Sequence, residues 1–176
     1  MRPPNHFLSR RIAAAFSILV FAVALKAQNT LTTTGTQRYF NAIRKNLEAA
    51  AEVMPEDKYA FRLTDGQMTF AEWLNHSTER NYSDCATLRG ESAPATAKSL
   101  KEKADVIKAL KDSFTYCAAA LEAMDDSKIL SSPQVTYSFL HILIHNNEIY
   151  GNIAGYLRAN RIVPPSTAAR LSQTKK

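Results

Sequence analysis

The chain has 176 residues, 45% of them hydrophobic, with 22 Lys and Arg against 16 Asp and Glu and a formal charge of +6. Four of the cations (Arg2, Arg10, Arg11 and Lys26) fall in the first 26 residues, where no acid stands. Without that stretch the balance is 18 against 16, or +2, which removes the electrostatic case for binding nucleic acid.

The cationic start leads into an apolar run from Ile12 to Leu25 and then Lys26-Ala27-Gln28. That is the pattern of an export signal over residues 1–27, cut after Ala27, with an uncleaved anchor as the alternative. At 14 residues the run falls short of the roughly 20 that span a bilayer comfortably. The mature chain is therefore expected to carry no membrane span and to be periplasmic or extracellular. Arg10-Arg11 has the look of a twin-arginine signal, but the residues after it do not continue that pattern, so general secretion is the better reading. About 149 residues remain, enough for one domain with a substantial core.

Five glycines and almost no β-branched alternation beyond the signal predict an all-α domain. After a short segment at 28–36, Gln37 to Met54 places Tyr39, Phe40, Ile43, Leu47 and Ala50/Ala51 at helical spacing, and Pro55 stops the helix. Thr69-x-x-Glu72 is a capping box, in which each side chain satisfies an exposed backbone donor. It opens a second helix to about Arg89, stopped by Gly90. Ser99-x-x-Glu102 reads as another box, starting a third helix to about Met124 with Leu100, Ala104, Ile107, Leu110, Phe114, Cys117 and Leu121 along one seam. Pro133 sets the start of a fourth helix to about Asn160, before Pro164-Pro165. Long connections at Pro55–Gln67 and Gly90–Lys98 permit crossovers, so the expected fold is a four-helix bundle over 37–166 with crossover connections. The polar tail, 167–176, is expected to fray.

The chemistry concentrates on the fourth helix. His141 and His145 are four residues apart and share a helix face, the spacing that lets two side chains reach one ion. The next position in that series is Ile149, and Glu148 lies at the edge of the stripe, one turn from His145. A histidine pair alone is a weak metal signal and calls for a ligand on another helix. His76 on the second helix is the other histidine of the mature chain. It lies beside the stripe Phe70, Leu74, Ser77, Asn81, Cys85 and Leu88, whose polar middle hints at a cavity. The competing reading leaves all three histidines hydrogen-bonded at the rim of the core.

Three stretches carry a family resemblance: Phe70-x-Glu72-Trp73-Leu74-x-His76, Phe114-x-Tyr116-Cys117, and His145-Asn-Asn-Glu-x-Tyr-Gly-Asn152-x-x-x-Tyr156-Leu157-Arg158, followed by Ile162-Val163-Pro164-Pro165-Ser166. Together they resemble the DinB/YfiT-like family of four-helix-bundle metalloenzymes over essentially the whole mature domain. The resemblance implies a divalent ion, zinc or nickel, held by one histidine from the second helix and a pair from the fourth, with water or substrate completing the site. By position, His76 matches the first ligand and His145 the second. The third should stand just before Tyr150-Gly151, where this chain has Ile149; Glu148 or His141 would have to substitute, or the site has decayed. The resemblance implies a metal-dependent hydrolase or transferase, and relatives of this type include thiol-dependent S-transferases and isomerases. The metal would lower the pKa of a bound water or thiol.

Cys85 and Cys117 face the core from the second and third helices. Either they form a disulfide, as an exported protein allows, or they stay as buried thiols. Neither has a basic or histidine neighbour at helical spacing that would hold a thiolate. Two functional readings remain beside the enzyme: a non-catalytic bundle binding a small molecule or a protein partner, and a homodimer formed through an exposed helix face.

Overall fold

The computed structural model describes residues 31–96 and 99–174, so the signal expected at residues 1–27 lies outside the described residues. Six helices make up the described chain: α1 (Leu31–Val53), α2 (Phe70–Arg89), α3 (Lys103–Glu122), the single turn α4 (Asp126–Ile129), α5 (Pro133–Ala159) and α6 (Pro165–Gln173). There is no strand among the described residues, and no helix there is long and apolar enough to cross a membrane. The all-α bundle is the fold that the hydrophobic spacing predicts.

The local signals mostly act as expected. Thr69 caps α2, its Oγ1 accepting from the Glu72 N–H at 3.1 Å while the Thr69 N–H donates to Glu72 Oε2 at 2.6 Å. Gly90 closes the helix at φ 67°, in the left-handed region that costs glycine nothing. Ser132 caps α5 ahead of Pro133, and Pro164 follows its end.

The box at Ser99 does not form. Ser99 takes φ 62°, and α3 starts at Lys103 behind Glu102, which makes no side-chain cap. The Leu100 carbonyl is held by Asn75 Nδ2 at 2.8 Å, so the chain stays extended past the point where a helix would have nucleated. Lys103 then does a job that its sequence position conceals. Its ammonium donates to the Glu52 and Met54 carbonyls, both at 2.8 Å, placing a cation at the C-terminal end of α1, whose last turn has no base of its own. Two further boundaries differ from the sequence reading. The first helix is already formed at Leu31, ahead of the expected Gln37, and the tail forms α6. The start of α6 is pinned to α5, since the Tyr150 hydroxyl donates to Ser166 Oγ and accepts from the Ser166 N–H, each at 2.9 Å.

α2 packs against α3 and α5, and α1 packs against the same two helices. Consecutive helices α1 and α2 thus stand diagonally, as do α3 and α5, so the chain crosses between α1 and α2 and between α3 and α5, while the long connection at 90–98 joins helices that pack side by side. Phe40, Leu47, Phe70, Leu74, Leu110, Phe114, Ile149, Ile153 and Tyr156 fill the middle of one continuous core. Cys85 and Cys117, both buried, are joined as a disulfide between α2 and α3, with Cα atoms 5.3 Å apart.

Candidate functional site

The polar middle of the α2 stripe is a packed, hydrogen-bonded network. Ser77, Asn81, Ser113 and Asn146 are all buried and bonded in series. Ser77 Oγ donates to Asn146 Oδ1 at 2.7 Å, Asn146 Nδ2 to Asn81 Oδ1 at 2.7 Å, and Asn81 Nδ2 to Ser113 Oγ at 3.0 Å. Ser113 ends the chain on the Leu110 carbonyl at 2.8 Å. Each group has a partner, so the polar atoms are tolerated and fix how α2, α3 and α5 register.

Beside this network, at the edge where α2 meets α5, the three histidines of the domain gather. His76 Nε2 and His145 Nε2 lie 2.9 Å apart, with the rings nearly perpendicular at 88°. His145 Nδ1 faces Glu148 Oε2 at 3.2 Å. A carboxylate only accepts, so this contact places the His145 proton on Nδ1 and turns the lone pair of Nε2 toward His76. His141, one turn back on α5, stacks on His145 with centroids 4.6 Å apart and planes inclined by 18°. Its Nδ1 faces Asp84 Oδ2 on α2 at 2.7 Å. Burial, then the neighbouring His145 ring and Arg80, hold His76 below the usual histidine pKa, which favours the neutral, ligating form.

The structure therefore brings His76 and His145 together and gives the other named positions different surroundings. Glu148 addresses the far nitrogen of His145, the place from which an outer carboxylate orients a ligand. His141 stacks in parallel with His145, so the lone pairs of the two rings lie in separate planes and do not converge. Ile149 is fully buried within the core cluster. Among the described residues no group of three or more His, Cys, Asp and Glu side chains is arranged to hold a metal.

The pair itself fits a divalent ion. Two nitrogens on one tetrahedral zinc stand about 3.4 Å apart at bond lengths near 2.1 Å, so the rings would separate by roughly half an ångström. What the donor set lacks is a third protein ligand.

Next to His76 an open pocket of about 500 Å³ is lined in part by Arg62, Glu72, Asn75 and Glu79, a size that suits a small polar molecule. On the other side, Trp73 meets His76 edge-on at 6.3 Å and donates from Nε1 to the Tyr156 hydroxyl at 3.2 Å. The Tyr156 hydroxyl in turn donates to the Met68 carbonyl.

Sequence reasoning passed over Asp84. Its signal was present: Arg80 precedes it by four residues, and Trp73, Ser77, Arg80 and Asp84 share the α2 face that meets α5.

A family model described as the DinB superfamily matches residues 39–148, well over half of the chain, from α1 into the histidine-bearing part of α5. Neither the curated proteins nor the solved structures gave a match.

Proposed function

The chain belongs to the DinB superfamily, and we propose that it is an exported member in which His76 and His145 form a weakened divalent-metal site, zinc or nickel, of a hydrolase or transferase. The observation that carries this reading is the 2.9 Å approach of the two Nε2 atoms across the α2–α5 edge, with Glu148 on the opposite nitrogen of His145. When bound, the metal would supply Lewis-acid activation of a water or a thiol. His76 and His145 would hold it, Glu148 would keep the His145 proton on Nδ1, and the pocket beside His76 would receive a small polar substrate. Export is supported by the N-terminal pattern and by a Cys85–Cys117 disulfide, which an oxidising compartment would preserve.

Buried Ile149 favours a second reading, a bundle that no longer catalyses. There His76 donates from Nε2–H to His145 Nε2, and the pair is satisfied without metal. Elemental analysis of the mature protein, prepared without a histidine tag and equilibrated with zinc or nickel, separates the two. The metal reading expects bound ion that is lost in both His76→Ala and His145→Ala. A metal-free wild type whose stability is unchanged by either substitution leaves the second reading. Mass measurement of the secreted chain tests the cut after Ala27.

A further inference from the structure

We infer that Asp84 and His141 are positioning residues that hold the His145 ring in the plane from which its Nε2 meets His76. The inference rests on the metal-site reading for its consequence and on the geometry of the rings for its evidence. Asp84 is a carboxylate with only 4% of its side chain exposed. Both its oxygens are engaged: Oδ1 accepts from Arg80 Nη2 at 3.0 Å, and Oδ2 accepts from His141 Nδ1 at 2.7 Å. A buried carboxylate is tolerated only with such partners, and it holds them firmly because water does not compete for the bond.

His141 is thereby fixed at one edge by a group on a different helix. Its two faces are covered by Tyr137, at 5.1 Å and 19°, and by His145, at 4.6 Å and 18°. Spacing of four residues brings such rings near one another along α5, but it does not make them parallel, since each ring turns about its own side-chain bonds. The bond to Asp84 selects the rotamer of His141, and the stack passes that choice to His145.

The obvious alternative anchor is Glu148, which contacts His145 directly. Its side chain is 66% exposed, and a contact of that kind is screened and contributes little. Glu148 suffices to choose which nitrogen carries the proton, whereas the buried Asp84–His141 bond is the stronger restraint on the plane of the ring. His141 accordingly receives a role different from the substitute ligand that its sequence position suggests.

The test uses the mature chain, labelled with ¹⁵N and free of metal, with long-range proton–nitrogen correlations on the imidazoles and ring-to-ring proton contacts. Wild type is expected to show one tautomer of His145, with the proton on Nδ1, and contacts from its ring to His76. His141→Ala and Asp84→Ala should abolish those contacts. Asp84→Asn, which keeps an acceptor for His141, should retain them. His141 lies at the rim, so His141→Ala keeps the fold even if Asp84→Ala does not. Zinc titration of the same samples should show affinity reduced by about 10- to 100-fold in His141→Ala and much less in Asp84→Asn. If the His145–His76 contact and the zinc affinity survive both alanine substitutions, the positioning role is overturned while the metal site stands. If wild type already lacks the contact and binds no zinc, both readings are overturned.

Discussion

Replacing Ile149 by histidine supplies the third ligand that the proposed metal site is missing, and the fold makes the outcome two-sided. Ile149 is fully buried in the central cluster. Removing that side chain from the core forfeits about 1.5–3 kcal/mol of burial, and a buried imidazole nitrogen without a partner costs a further 1–3 kcal/mol or so. Ile149→His in chelator should therefore be destabilised by roughly 3–5 kcal/mol. For a domain of this size that corresponds to a fall in melting temperature on the order of 10–15 °C. A ring that swings from the core toward His76 and His145 completes a three-nitrogen site. Zinc at about 100 times its dissociation constant then returns about 2.7 kcal/mol, because it binds the folded chain alone. Thermal melts with and without zinc, on wild type and variant, read both effects. A variant that melts with wild type in chelator, or that saturating zinc stabilises no more than it stabilises wild type, would overturn both expectations.

Three other outcomes follow from the packing. Asn146→Ala removes a side chain bonded to Ser77, Asn81 and the Ile142 carbonyl, and it should cost about 2–4 kcal/mol in urea unfolding by orphaning buried groups. A shift below half a kcal/mol would mean that water replaces it. Opening the Cys85–Cys117 bond by the double substitution to alanine should lower stability by about 3–4 kcal/mol, the loop-closure value for a sequence separation of 32, measured by the same unfolding curve. The Tyr59 hydroxyl donates to the Ala51 carbonyl at 2.7 Å, and burial, then Glu52 and Glu56, raise its pKa well above the usual tyrosine value of 10.0. The unfolded chain therefore ionises this group first, so its contribution is whole below pH 10 and is lost as pH rises beyond it. Tyr59→Phe should flatten the alkaline loss of stability between pH 10 and 12, and an unchanged slope would place the effect elsewhere.

Much of the bundle was legible because its signals are local. Thr69 with Glu72, Gly90, Pro133 and Pro164 each act within one turn of the backbone they punctuate, and the seam from Leu110 to Leu121 needs nothing but a helical period. Ser99 failed as a cap because a residue on another helix, Asn75, holds the chain extended at Leu100. The polar centre of α2 was visible but its meaning was not. Ser77, Asn81, Ser113 and Asn146 come from three helices, and only their meeting reveals the network. The diagonal placement of α1 and α2 is likewise a property of assembly. At the site, helix periodicity put His141 and His145 on one face and Glu148 within reach of His145. The α2 face carrying Arg80 and Asp84 was visible, but its pairing with His141, 57 positions away, appears only when the helices pack.

The metal reading places one divalent ion on His76 and His145 together. Calorimetric titration of zinc into the untagged mature protein, beside His76→Ala and His145→Ala, measures it most directly. One ion per wild-type chain is expected, bound more weakly than at a three-histidine site, with no binding in either variant. Binding that is absent in wild type, or that persists unchanged when either histidine is removed, would contradict the metal reading.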